Sequence, residues 1–198
     1  MRLGFPGVWR GESLKRHGRV AIGHDSKVIS LLNSHGERLY RLLVRLCLRE
    51  DVAEDLLQDL AVKLSQASSF AAAQDPYAYA RKAAVNLAFS WIRSRQRERE
   101  RTMWLSAHST DEPPPWMKLV NAEDIRRVLE HMESLGDRDR LILAMRYFEE
   151  AEYEEIAQVI GSTDHQARAL CHKAIERLRK AMVEPDPSVL EPRTEVEP

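Results

Sequence analysis

Arg168, His172 and Lys173 recur at helical spacing inside a stretch, Tyr153 to Lys173, that reads YEEIAQVIGSTDHQARALCHK. Side chains of these types hydrogen-bond base edges and neutralise phosphate, which is recognition rather than bond-making chemistry. An enzyme or a metal protein would have to be built on His108, His131, His165, Cys171 and His172. No HExxH, paired-cysteine or nucleophile motif accompanies them. Cys47 and Cys171 lie far apart without a CxxC partner, which argues against a disulfide framework and a structural zinc site and for a reducing compartment. The expectation is a protein with no catalytic residue, no metal site and no cofactor.

The reading side chains need a scaffold that pushes one helix outward, and the same stretch supplies it. A short helix ends at Gly161 and another begins almost at once, which is the spacing of a helix-turn-helix. Gly161 offers the left-handed conformation of the turn. Thr163 followed by Gln166 satisfies the capping-box pattern and fixes where the second helix starts. Ile156, Ala157 and Ile160 are expected to pack on Ala167, Leu170 and Ala174. With that start, the outward face carries Asp164, His165, Arg168, Ala169, His172 and Lys173, a set suited to the major groove. Just upstream, Glu149, Glu150, Glu152, Glu154 and Glu155 repel phosphate, so only the second helix faces the groove. A helical hairpin with a solvated charged face is the plainer alternative.

The whole chain permits such a scaffold and little more. Its 198 residues at 43% hydrophobic content suffice for two small helical cores but not for a large enzyme interior. Charged residues make up 31% of the chain yet nearly cancel to a net of -1, so affinity for nucleic acid must come from local clustering. No apolar run approaches the ~20 residues that span a bilayer, and the start of the sequence, MRLGFPGVWRGESLKRHGRV, lacks the continuous apolar stretch of a signal peptide. A cytoplasmic protein without membrane insertion is expected.

Hydrophobic periodicity then lays out the helices. Val28, Leu31, Leu32, Leu39, Leu42, Leu43 and Leu46 predict one long helix, relaxed at Gly36. Val52, Leu56, Leu57, Leu60 and Leu64 predict a second, running to about Gln66, whose neighbouring face is strongly acidic. A loop rich in Ser and Ala leads to Pro76, and Tyr77 to Arg101 reads as a third helix with Ala80, Ala84, Leu87, Ala88, Trp91 and Ile92 inward. Pro113, Pro114 and Pro115 forbid helix and mark a connector. Beyond it, Ile125, Val128, Leu129, Met132 and Leu135 form a helix stopped by Gly136, and Leu141, Ile142, Ala144, Met145 and Phe148 form the next.

At the ends, Arg2, Arg10, Lys15, Arg16, Arg19 and Lys27 make a mobile basic arm, and the tail from Glu184 holds four prolines and five acids against one arginine. The expected architecture is all-α, with two small helical domains joined by a proline-containing linker. The first has three to four helices, and the second has four with a C-terminal helix-turn-helix. Their bounds are 1–27 for the arm, 28–101 for the first domain, 102–121 for the linker, 122–183 for the second domain and 184–198 for the acidic tail.

Both halves resemble the extracytoplasmic-function (ECF) sigma factors of bacterial RNA polymerase, over about 28–101 and 122–183. Leu39-Tyr40-Arg41-Leu42 followed by Asp51-Val52-Ala53-Glu54-Asp55-Leu56-Leu57-Gln58-Asp59 is similar to the family's "RLYRLA … DAEDLVQE" stretch, which grips the clamp helices of the polymerase. The resemblance implies Asp55, Leu56, Gln58 and Asp59 as polymerase contacts, and an acidic, partly apolar face suits a basic protein partner better than DNA. The loop ending Ser69-Phe70 and the helix Ala80-Arg81-Lys82-Ala83-Ala84-Val85-Asn86-Leu87-Ala88 resemble the promoter-melting element, where an unstacked base of the minus-ten element is held.

In that element, the extruded base needs a pocket and the single strand needs cations, because unstacking costs a few kcal/mol that binding must offset. Asn86 has the hydrogen-bonding groups for a base edge, and Phe70 and Tyr77 have rings to stack or to line a pocket. For Phe70 and Trp91, core packing is the alternative. Between Trp91 and Arg101 five arginines, Arg93, Arg95 and Arg97 among them, face two glutamates, a basic strip suited to duplex phosphate.

The second half resembles the minus-thirty-five reader, with its pattern "SYEEIAEILGISVGTVKSRLHRARKRLR". This chain meets it with Tyr153-Glu154-Glu155-Ile156-Ala157, Gly161, Thr163, Arg168, His172, Lys173-Ala174 and Arg177-Leu178-Arg179. The resemblance therefore adds Thr163 and Arg177 to His165, Arg168, Ala169, His172 and Lys173 as DNA contacts. Ala167 stands where a valine is common, Leu170 where an arginine is and Cys171 where a leucine is, which implies looser inner packing and one contact fewer. The stretch Leu135-Gly136-Asp137-Arg138-Asp139-Arg140 resembles "LPEEQREVLLLRY", with Gly136 in place of proline.

As partners the resemblance implies core RNA polymerase, promoter DNA both duplex and melted, and the anti-sigma factor that restrains many members. The competing reading is a helix-turn-helix regulator that binds an operator without polymerase. It accounts for 122–183 but leaves the acidic helix and the Asn86 strip without a task.

Overall fold

The computed structural model describes residues 22–102 and 122–183, and the helices there fall into two units, one before and one after residue 116. The expected linker, most of the basic arm, His108 and the acidic tail lie outside the described residues.

The first unit begins with α1 (Ile22–Cys47). Its predicted stripe is inward, with Val28, Leu31, Leu32, Leu39, Leu42, Leu43 and Leu46 all buried. Gly36 does not relax the helix. A Cβ there would make only ordinary contact, 3.8 Å from Leu32 Cβ, so no special backbone is required. The helix stops where Leu48 turns left-handed at φ 60°, its N–H donating to the Val44 carbonyl at 2.9 Å.

Next come α2 (Glu50–Gln66), the short α3 (Ser68–Ala71) and α4 (Pro76–Thr102). Helix α2 buries Ala53, Leu56, Leu57, Leu60, Ala61 and Leu64. Asp75 caps α4 by accepting from the Ala78 N–H at 2.9 Å, and Pro76 occupies the first helical position, where a missing N–H costs nothing. Ala80, Ala84 and Ala88 bring α4 close to its neighbours, with Val85, Leu87, Phe89 and Ile92 buried beside them and Trp91 only half-buried. Helices α1, α2 and α4 pack on one another pairwise. Each fully buried leucine contributes roughly 2 kcal/mol.

Two details differ from expectation. Helix α1 starts at Ile22, so Lys27 belongs to it and not to an arm. The segment expected as loop contains α3, because Phe70 is driven into the core at 0% exposure and winds one turn behind it.

The second unit is α5 (Ala122–Glu133), α6 (Asp137–Leu143), α7 (Tyr153–Ile160) and α8 (Asp164–Val183). Its core is Leu129, Met132, Leu135, Leu141, Ile142, Leu143, Met145, Ile156, Ala157, Ala167, Cys171, Ala174 and Leu178. Arg140 is buried yet serves the bend between α5 and α6. Its Nη1 donates to the carbonyls of Glu133 at 2.7 Å and Leu135 at 3.0 Å, two groups the end of α5 leaves unpaired, and Asp137 pairs with its Nη2.

The helix expected through Phe148 leaves α geometry at Ala144, where a π-helical turn runs over Ala144–Phe148. The Glu149 N–H reaches the Ala144 carbonyl at 3.2 Å and the Ala151 N–H reaches that of Met145 at 2.9 Å. Among the described residues every regular element is helical.

Candidate nucleic-acid interface

The helix-turn-helix forms on the predicted chemistry. Gly161 sits at φ 65°, ψ 48°, ending α7, and the Ser162 N–H closes the turn on the Ala157 carbonyl at 2.9 Å. The capping box is reciprocal. Gln166 N–H donates to Thr163 Oγ1 and Thr163 N–H donates to Gln166 Oε1, each at 3.3 Å. Ala167, Cys171, Ala174 and Leu178 form the inward stripe of α8, whereas Leu170 and Ile160, expected to pack between α7 and α8, are only partly covered. Helical period decides this, because Cys171 follows Ala167 by one turn.

With that face inward, Asp164, His165, Arg168, Ala169, His172 and Lys173 are exposed, as is Thr163 at the cap. Arg168 is held at the entrance of the helix. Its guanidinium carbon lies 4.6 Å from the centre of the Tyr153 ring, and Nη2 lies 3.7 Å from Asp164 Oδ2. The same ring lies 4.6 Å from the Arg146 guanidinium carbon, and Arg146 Nη1 donates to the Ala151 carbonyl at 2.9 Å. Tyr153 thus ties the reading helix to the π-helical turn, a link that the sequence reading missed.

Arg177 requires correction as a DNA contact. It donates to Asp139 Oδ2 at 2.5 Å, bracing α8 on α6, and the Asp139 side chain is only 11% exposed. A carboxylate that far from water needs its cation, so the guanidinium is committed to the fold.

On α4, Asn86 is half-exposed, and its own carbonyl accepts from Ser90 Oγ at 2.8 Å. Arg93 and Arg95 are half-exposed and Arg97, Arg99 and Arg101 are exposed, so the strip is presented along the last turns. Arg95 leans on Trp91, 5.7 Å from its ring centre. Arg81 and Phe70 are corrections. Arg81 is 1% exposed with its guanidinium carbon 4.4 Å from the centre of the Tyr77 ring, and Tyr77 in turn stacks on His35 at 4.4 Å. Phe70 is buried against Tyr79, at 5.6 Å between ring centres. Neither presents itself to a strand, because burying the ring and stacking the cation outweigh exposure.

On α2, Asp55, Gln58 and Asp59 are exposed in line with Glu50, Asp51 and Glu54. Leu56 is a correction, since it is buried beneath that face as part of the helix core. The Tyr40 hydroxyl is pushed above the usual tyrosine value, first by burial and then by the charges of Glu50 and Glu54. The acidic field of α2 therefore reaches onto α1. Among the described residues, no group of three histidines, cysteines or acids is gathered to hold a metal, and no helix is long and apolar enough to cross a membrane.

A bundle carrying an acidic helix face and a basic strip, together with a helix-turn-helix unit, defines a DNA-binding transcription protein. Residues 31–98 match the family model for Sigma-70 region 2, and residues 131–180 match that for Sigma-70, region 4. Together these span more than half of the chain, which belongs to the sigma-70 family and directs RNA polymerase to promoter DNA. No curated protein matches the sequence. Among solved structures, the chain is similar to one in the co-crystal structure of the sigma factor RpoE in complex with the anti-sigma factor NepR from Bartonella quintana. Identity is 20%, the TM-score is 0.46, and the alignment covers 81% of this chain and 99% of that one.

Proposed function

We propose that this chain is a sigma factor of the ECF type, with its tasks divided among three helices. The exposed Asp55, Gln58 and Asp59 of α2 dock on core polymerase. Asn86 and the 67–75 segment receive the unstacked minus-ten base, and the arginine strip of α4 tracks the adjacent phosphates. Thr163, His165, Arg168, Ala169, His172 and Lys173 on and before α8 read the minus-thirty-five duplex. An anti-sigma partner belongs to this reading because the family resemblance implies one. Like other sigma factors, the chain acts as a subunit that the polymerase requires and performs no catalysis of its own.

The observation that carries the reading is the separation of charge by helix. The acids of α2 are exposed on a face of their own, while α4 and α8 expose cations. An anionic face repels the phosphates that the cationic faces attract, so it suits a protein partner.

Pull-down with purified core polymerase tests it. The wild-type chain is expected to bind core, and Asp55→Lys with Asp59→Lys to lose that binding while keeping its helical circular dichroism. Undiminished core affinity in the double variant would remove α2 as the docking face. Tight duplex binding by the chain alone, unaffected by core, would favour the operator-binding regulator instead.

A further inference from the structure

The segment 67–75, to which the proposed function gives the unstacked base, has little means of holding its own shape. Ala71, Ala72 and Ala73 follow Phe70, and alanine offers no polar group with which to fix a turn. At the end of α3 the backbone carbonyls lack onward helical partners.

Lys27, on α1, meets this need from 43 or more positions away. Its ammonium donates to the carbonyls of Phe70 at 3.1 Å, Ala71 at 2.9 Å and Ala73 at 3.0 Å. An ammonium has three N–H donors, and here the three carbonyls match them in number. Nζ also stands 5.4 Å from the centre of the buried Phe70 ring. On the opposite side of that ring's neighbourhood, Tyr79 packs on Phe70 and its hydroxyl pairs with Ser69 Oγ at 2.8 Å.

We propose that Lys27 is a positioning residue for promoter melting, pinning the 70–73 backbone in the shape that receives the extruded base. The inference rests on the reading of that segment given above. A lysine alone satisfies the need: hydrogen bonds from a charged donor are worth more than neutral ones, and three converge on a stretch of four residues. The ammonium also offsets three carbonyl dipoles beside the path of a polyanionic strand. Without it, the same backbone samples many conformations, and the strand must supply the ordering free energy at the moment of capture.

The test uses core polymerase assembled with the full chain and a single-stranded minus-ten oligonucleotide from a promoter mapped by transcription starts. 2-Aminopurine replaces each base in turn. Lys27→Met, close in length and without donors, is expected to lower strand affinity about tenfold, equivalent to ~1.4 kcal/mol, and to dim the signal of the captured base. Lys27→Arg, which retains donors, should recover most of it. Core binding and binding of the upstream duplex should not change, which a general loss of fold would not spare.

Strand capture by Lys27→Met equal to that of wild type overturns the inference while leaving the reading of the segment intact. Failure of the wild-type assembly to capture the strand overturns that reading, and the inference with it. Should the Met variant unfold, comparing Lys27→Gln with Lys27→Arg puts the same question to a chain that keeps a donor, and equal capture by the two counts against a requirement for the charge.

Discussion

Arg177 and Asp139, 38 positions apart, meet at 2.5 Å between Nη1 and Oδ2, with the carboxylate nearly out of water and the guanidinium half in it. The pair joins the late turns of α8 to the first turn of α6. It therefore fixes the angle at which the whole reading helix leaves its unit. Removing the cation strands a carboxylate in a poorly solvated place, which costs about 2 kcal/mol. Arg177→Ala should lower the thermal midpoint followed by circular dichroism, whereas Arg179→Ala, which loses only an exposed pair with Glu176, should shift it by less than about 0.5 kcal/mol. Equal midpoints for the two variants would return Arg177 to the list of free cations.

Arg168 and Lys173 are both exposed on α8, and each phosphate they neutralise releases a counterion. Replacing both by alanine should weaken duplex binding of the upstream element and reduce the salt slope by about two. Titrations at several salt concentrations measure it. An unchanged slope would mean that neither side chain faces phosphate.

Burial pushes the Cys47 thiol up to about 12 from 9.0, and it raises that of Cys171 as well, against the opposing influence of Arg146. The thiolate is the reactive form, so both should alkylate slowly in the native protein at neutral pH and fully after unfolding. Linkage fixes the sign for stability. A group that binds its proton more tightly when folded stabilises fully below pH 9.0, and Cys47 loses that contribution as pH rises from there towards about 12. Iodoacetamide labelling with and without denaturant checks the first point, and fast labelling of the folded chain would contradict the burial of both thiols.

Much of this arrangement is legible in residue order, for physical reasons that differ by element. The stripe from Val28 to Leu46 is legible because apolar spacing and helix period coincide, and the cap at Thr163 because Gln166 stands three residues on, where a reciprocal bond is geometrically possible. Leu56 already belonged to an apolar stripe, and that membership, not its place in an acidic motif, decides where it points. Arg81 follows Tyr77 by one helical turn, a spacing that favours contact on the same helix over reach into solvent.

Lys27 and Arg177 are of another kind. Their partners are backbone carbonyls and a carboxylate far along the chain, and nothing in the local sequence advertises a long-range acceptor. The π-helical turn is equally silent, since the apolar pattern from Leu141 to Phe148 fits a regular helix well enough.

That turn carries one residue more per hydrogen-bonded ring than the α-helix before it. Deleting a single residue within Ala144–Phe148 would let regular winding continue, and everything beyond would swing round the axis by about 100°. Arg146 would then leave the Tyr153 ring, and the aromatic plate behind Arg168 would lose its backing. A small surplus of chain, far from any base, sets the bearing of the arginine at the tip of α8.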